Sequence, residues 1–159
     1  MGTLRLSAVQ ILMPVDGLDA SSRPPYATVL SMRTVDWFAE RDPRARTLVE
    51  VGVSSGRDPS VLAVAKQLTD DLGCLGQDVF VCESHDVTGG GVTEPALAPP
   101  FHDSFWNGPA VHGVVLRGEL AEWSCDAIGW LAEVVADSAA RLGVRAPLLV
   151  TVRPAPSTG

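Results

Sequence analysis

A chain of 159 residues is the size of one domain and can bury a core without disulfide or metal staples. Its 46% hydrophobic and 19% charged content excludes a disordered chain, and no apolar run approaches the ~18 residues of a membrane-spanning helix. Twelve bases against nineteen acids give 12 − 19 = −7, a balance opposed to binding phosphate backbones through clustered Lys and Arg.

The N-terminal M-G-T-L-R-L has no basic region followed by an apolar run, so no signal peptide is expected. Cys74, Cys82 and Cys125 are odd in number and have no CxxC spacing, which predicts reduced thiols in a cytoplasmic protein. Cys82 lies in an apolar strand pattern and reads as a small core residue.

In chain order, Leu4–Leu12 opens with alternating Leu4, Leu6 and Ala8 and predicts a first strand. A loop follows, with Asp16-Gly17 favouring a turn and Arg23-Pro24-Pro25 blocking a helix. Tyr26, Val29, Leu30, Trp37 and Phe38 then recur at helical spacing. They predict a helix from Tyr26 to Glu40 that stops before Asp42-Pro43, because the residue before proline avoids helical dihedrals. Thr47–Val53 predicts a strand with Val49, Val51 and Val53 on one face and Leu48, Glu50 and Gly52 on the other.

The segment S-S-G-R-D-P-S turns the chain into a helix. Asp58 reads as its N-cap, Pro59 as its first residue, Val61, Ala65, Leu68 and Leu72 as its buried stripe, and Gly73 as its left-handed stop. Strands are expected at Asp78–Ser84 and Ala110–Arg117. A helix follows, capped by Ser124, with Asp126 at the positive end of its dipole, Arg141 at the negative end and Gly143 closing it. Leu148–Val152 is the last strand. Residues 154–159 read as a frayed tail, leaving 1–153 as a single domain.

This order predicts an α/β protein of the α+β sandwich kind, with a mixed five- or six-stranded sheet and three helices. From Thr47 the elements run β-α-β-β-α-β, the order of a ferredoxin-like core, preceded here by an extra strand and helix. A doubly wound, flavodoxin-like sheet is the alternative, but the strand–loop–strand between Asp78 and Arg117 breaks the alternation it needs.

Chemistry-bearing residues concentrate between Glu83 and Pro109, a long stretch that reads mostly as loop. His85-Asp86 and His102-Asp103 are candidate acid–base pairs, since an adjacent carboxylate can orient an imidazole. Their spacing matches no metal-binding pattern, and no metal is expected. Gly89-Gly90-Gly91 is followed by neither a helix nor a Lys-Ser/Thr pair, and G-x-S-x-G does not occur, so no nucleotide cofactor or serine nucleophile is expected. Cys82 and His85, three apart on a strand, would face opposite ways unless the strand ends or bulges.

Glu50, Glu83, Phe101, Phe105, Trp106 and His112 are candidate ligand-lining residues. Glu50 reads either as a salt-bridged carboxylate or as an acid lining a cleft, and His112 shares a strand face with Ala110, Val114 and Leu116. Ser54, Ser55 and Arg57 precede a helix and are candidate anion binders. The first functional reading is a small-molecule binding protein or small cofactor-independent enzyme using His/Asp acid–base chemistry in a pocket under the 85–109 loop. The alternative is a non-catalytic protein-interaction module (an inhibitor, immunity-type or assembly subunit) acting through its acidic surface and loop aromatics. The expected partner is a small molecule or a protein, not nucleic acid or membrane, and a sheet edge or the Trp-bearing helix offers a route to a homo-oligomer.

Overall fold

The computed structural model describes residue 2 and residues 5–15, 43–74, 79–89 and 112–156. Val9–Met13 forms β1 and Thr47–Gly56 forms β2, entered through a 3-10 turn at Pro43–Ala45. Ser60–Ala63 is α1, Ala65–Cys74 α2, Phe80–Gly89 β3, His112–Leu120 β4, Cys125–Arg141 α3 and Leu148–Pro154 β5. Among the described residues this is an α+β fold of three helices and one five-stranded sheet, ordered β1-β5-β2-β4-β3.

Every neighbouring pair is antiparallel, so the sheet is not mixed. That also removes the doubly wound alternative, which requires parallel neighbours. β4 lies between β2 and β3, and β2 lies between β4 and β5, so the connections β2→β3 and β4→β5 each skip one strand. β1 adds an edge beyond β5, and the five-strand order is therefore not a simple ferredoxin arrangement.

Alternation decides which face of the sheet is buried. Val49, Val51 and Val53 of β2, Val114, Leu116 and Leu120 of β4, and Leu148, Val150 and Val152 of β5 all enter the core. There they meet Leu68 and Leu72 of α2 and Ile128, Leu131 and Val135 of α3. α3 buries more than the single stripe of a surface helix, Ala132, Ala136 and Ala140 included, because it packs against β1, β5 and α2. Its ends follow the sequence. The Ser124 hydroxyl accepts from the Ala127 amide at 3.2 Å, Arg141 pairs with Asp137 at 3.3 Å, and Gly143 takes φ +97°. No helix among the described residues is long and apolar enough to cross a membrane.

Elsewhere the elements differ from expectation. β1 starts at Val9, where pairing with Val152 begins; residues 5–8 are not strand, and Leu4, the expected start, lies outside the described residues. The expected helix from Tyr26 to Glu40 lies outside the described residues. The helix after Pro59 is broken at Val64, whose φ of −113° and ψ of 10° end α1 before α2 begins. The Asp58 carboxylate does accept from the Ser60 amide at 2.8 Å, but Gly73 lies inside α2, and among the described residues only Gly56 and Gly143 have positive φ. β5 runs to Pro154, and the Ala155 amide donates to the Leu48 carbonyl at 2.8 Å, so pairing continues into the stretch expected to fray.

The largest departure is β3. It extends to Gly89, paired with β4 as far as Gly89↔His112, so His85 and Asp86 lie on a strand and not in a loop. The register shifts between Cys82 and Ser84, leaving Glu83 as the extra residue of a bulge. At that point the β3 backbone passes so close to Gly118 that a Cβ there would run into the Val81 carbonyl, 2.9 Å from its carbon and 3.0 Å from the Cys82 Cα.

Candidate functional site: a charge ladder on the outer sheet face

The face of the sheet turned away from the helices is built in rows, because side chains paired across antiparallel strands share a face. Leu48, Glu119 and Val81 stand side by side on β2, β4 and β3. The next row holds Arg153, Glu50, Arg117 and Ser84 on β5, β2, β4 and β3. Behind it come Thr151, Gly52, Val115 and Asp86. At the far end of the same face, Leu149 is buried, so the exposed part is the end carrying Leu48, Val81 and the arginines.

Across the middle runs a continuous ladder of opposite charges. Glu50 Oε2 accepts from Arg153 Nη2 at 2.7 Å and from Arg153 Nε at 3.1 Å, while Glu50 Oε1 accepts from Arg117 Nε at 3.2 Å. Arg117 Nη1 in turn donates to Asp86 Oδ2. The side chain of Glu50 is only 12% exposed, against 45% for Arg117 and 52% for Arg153, so the carboxylate is sunk between two accessible guanidinium groups. The Arg153 hydrogen bond holds the Glu50 carboxyl below its ordinary value of 4.5, burial opposes this, and Arg117 adds to it.

Because the folded value lies below the unfolded one, the stabilisation from Glu50 is complete above pH 4.5 and is lost as pH falls through the lowered folded value. Glu50→Gln is expected to cost about 1 kcal/mol near neutral pH, the scale of a small, partly exposed ion-pair network. Urea denaturation should show the gap to wild type shrinking on acidification below 4.5. A gap independent of pH would contradict the assignment.

The sequence-predicted residues fall in several places. His85 pairs with Leu116 and turns to the helix side, whereas Asp86 pairs with Val115 and turns to the outer face, where Arg117 holds it. Asp86 therefore does not orient His85. His112 also lies on the helix side, but four β4 positions from Leu116, about 13 Å from His85 at ordinary strand rise. Its Nδ1 is buried with no hydrogen-bond partner among the described residues. Glu83 is the exposed residue of the bulge. The bulge also puts Cys82, paired with Gly118, on the same face as His85. Burial pushes the Cys82 thiol upward in pKa, the reverse of nucleophile activation.

Ser54 Oγ donates to the His112 carbonyl at 2.9 Å and accepts from the Gly56 amide at 3.2 Å; Ser55, fully buried, donates to the Asp58 carbonyl. Both hydroxyls thus serve the turn into α1, and only Arg57 faces outward. Phe101, His102, Asp103, Phe105 and Trp106 lie outside the described residues. Among the described residues, no group of three or more His, Cys, Asp and Glu side chains is placed to hold a metal ion.

Alternation along β2 places Leu48 and Glu50 on one face, but their neighbours Arg117, Arg153 and Val81 are not among the sequence candidates. The available signal was alternation: Arg117 follows buried Leu116, Arg153 follows buried Val152, and both therefore share Glu50's face. No family model, curated protein or solved structure matches this chain.

Proposed function

We propose that this chain is a protein-interaction module that works through the outer face of its sheet. The observation that carries this reading is the ladder Arg153–Glu50–Arg117–Asp86, with accessible arginines and the exposed apolar side chains of Leu48 (53%) and Val81 (43%) beside it. Arginine and apolar side chains around a desolvated centre are what protein interfaces favour. Gly52 adds support. A glycine inside the central strand weakens the sheet, yet a Cβ there would meet only Thr151, at 3.8 and 3.9 Å. Nothing nearer in the described chain requires the glycine, and a bare backbone suits close approach by a second molecule.

The scaffold fits a ferredoxin-like reading of β2 to β5. Their order across the sheet is fourth, first, third, second, with β1 as an added edge strand. The test is retention of host proteins on the immobilised chain. Leu48→Asp should abolish retention, and Lys66→Asp on α2 should leave it intact; equal retention by both variants would remove the reading.

A second reading, a small-molecule site on the helix side, is favoured by two buried polar atoms with no partner among the described residues, His112 Nδ1 and Ser60 Oγ. Both lie at the end of the sheet where Gly56 pairs with His112 and the chain enters α1, which packs on β2 and β4. Buried polar atoms of this kind call for a bound water or ligand. Native mass spectrometry should then find a small molecule on wild-type protein that His112→Ala loses, and identical spectra would eliminate this site.

A further inference from the structure

We propose that the partner of the outer sheet face is a second copy of this chain, docked face to face about a two-fold axis parallel to the strands and running between β2 and β4. The proposal rests on the outer face being an interaction surface, and it follows from the sign pattern of the ladder. In the order β5, β2, β4, β3 the charges read plus, minus, plus, minus: Arg153, Glu50 and Arg117 in one row, and Asp86 one residue pair behind it on β3, hydrogen-bonded to Arg117.

A two-fold axis along the strands reverses that order in the partner. The second copy then presents the reverse order, so Glu50 of each copy faces Arg117 of the other, and Arg153 comes level with Ser84 of the other, one residue pair (about 7 Å) from Asp86 and within reach of its long side chain. A self-complementary patch is the requirement for an isologous dimer. A same-sign ladder would place like charges opposite each other; this one brings Glu50 against Arg117 twice across the axis and no like charges together.

The row behind fits the same arrangement, with Gly52 of each copy facing Val115 of the other, whereas in the row in front Leu48 faces Glu119. Val115 and the bare backbone of Gly52 lie behind the ladder, and exposed Leu48 and Val81 lie in front of it. Two sheets pack about 10 Å apart when side chains interdigitate, and a large residue at position 52 would hold them off. The chain carries a net charge of −7, so two copies repel at long range. The pairing of opposite charges at the face offsets this locally, and Glu119 is the acid left without an opposite charge facing it in that docking.

The experiment is sedimentation velocity on the whole chain across a concentration series at low and high salt. Wild type is expected to form a dimer that salt weakens. Arg153→Glu and Asp86→Arg should each weaken self-association about tenfold or more, because like charges then face each other across the interface. An equimolar mixture of the two variants should regain the dimer, since the altered residue of each chain meets the altered residue of the other. A merely structural role in each chain's own ladder gives no such rescue.

Gly52→Leu is the variant that does not touch the charges. It should yield a monomer whose melting temperature is at least that of wild type at concentrations too low for wild type to dimerise. A wild-type monomer at every concentration, or a dimer unaffected by all three variants, or a mixture that stays monomeric, would overturn the proposal. If wild type is monomeric while Leu48→Asp still abolishes retention of a different host protein, the interaction reading stands and only the second copy falls.

Discussion

Gly118→Ala is expected to cost about 3 kcal/mol, the upper end of what overpacking a fixed site usually costs. The reason is the β3 bulge. The extra residue, Glu83, brings the Val81–Cys82 backbone directly over Gly118, and the added methyl would meet the Val81 carbonyl and the Cys82 Cα, not the end of a flexible side chain. Relief requires moving β3 as a whole, and with it the placement of Asp86 against Arg117. Gly52→Ala is the matched control, because its Cβ meets only Thr151 at ordinary contact distances of 3.8 and 3.9 Å. Urea denaturation of both variants should separate them clearly, with Gly52→Ala neutral or more stable than wild type, since alanine has less backbone freedom to lose on folding. Equal stabilities would mean that the bulge is not where the register puts it.

Phe80→Ala should be costlier, about 3–5 kcal/mol, as expected for deleting a large buried aromatic side chain. Phe80 is 1% exposed and heads the largest fully buried side chains of the core. It opens β3 opposite Leu120 and belongs to the same cluster as Leu68 and Leu72. β3 is an edge strand, held by β4 on one side and by α2 on its buried face, so losing Phe80 removes much of what anchors it. The adjacent Val81→Ala, on the exposed outer face, should change stability by less than about 0.5 kcal/mol, as surface substitutions do. Thermal or chemical denaturation of the pair checks both statements. Comparable losses would show that the faces of β3 had been exchanged.

That exchange explains which parts of the molecule were legible in the sequence. The alternation of Val49, Val51 and Val53, the Ser124 cap and the Gly143 stop are local signals, and each appears in the structure where expected. The order of elements from β2 to β5 was legible for the same reason. β3 was not. Its last residues, S-H-D-V-T-G, are polar and turn-like, and they are strand only because β4 supplies partners as far as His112. Cross-strand partners are non-local, so the sequence carries no direct mark of them.

The bulge compounds the difficulty. One extra residue at Glu83 flips every later side chain to the opposite face. Cys82 and His85 therefore share a face that simple alternation would deny them, while His85 and Asp86 are separated like any two neighbours on a strand. The histidine–aspartate pairs drew attention as reactive residue types, but the arrangement at Asp86 is an ion pair with Arg117. The ladder is not legible in the sequence because its four members come from four strands, at positions 50, 86, 117 and 153. No spacing along the chain could have joined them.

The outer sheet face, and not the helix side, is the proposed meeting place of this protein and its partner. Site-specific photo-crosslinking in the producing cell tests it most directly, with the photoreactive residue placed at Val81 on the outer face and, separately, at Gln67 on α2. Both positions are exposed, so neither insertion disturbs the core. A discrete higher-mass adduct is expected from position 81, at twice the chain's mass if the partner is a second copy, and none from position 67. An adduct from 67 alone, or the same adduct from both, would contradict it.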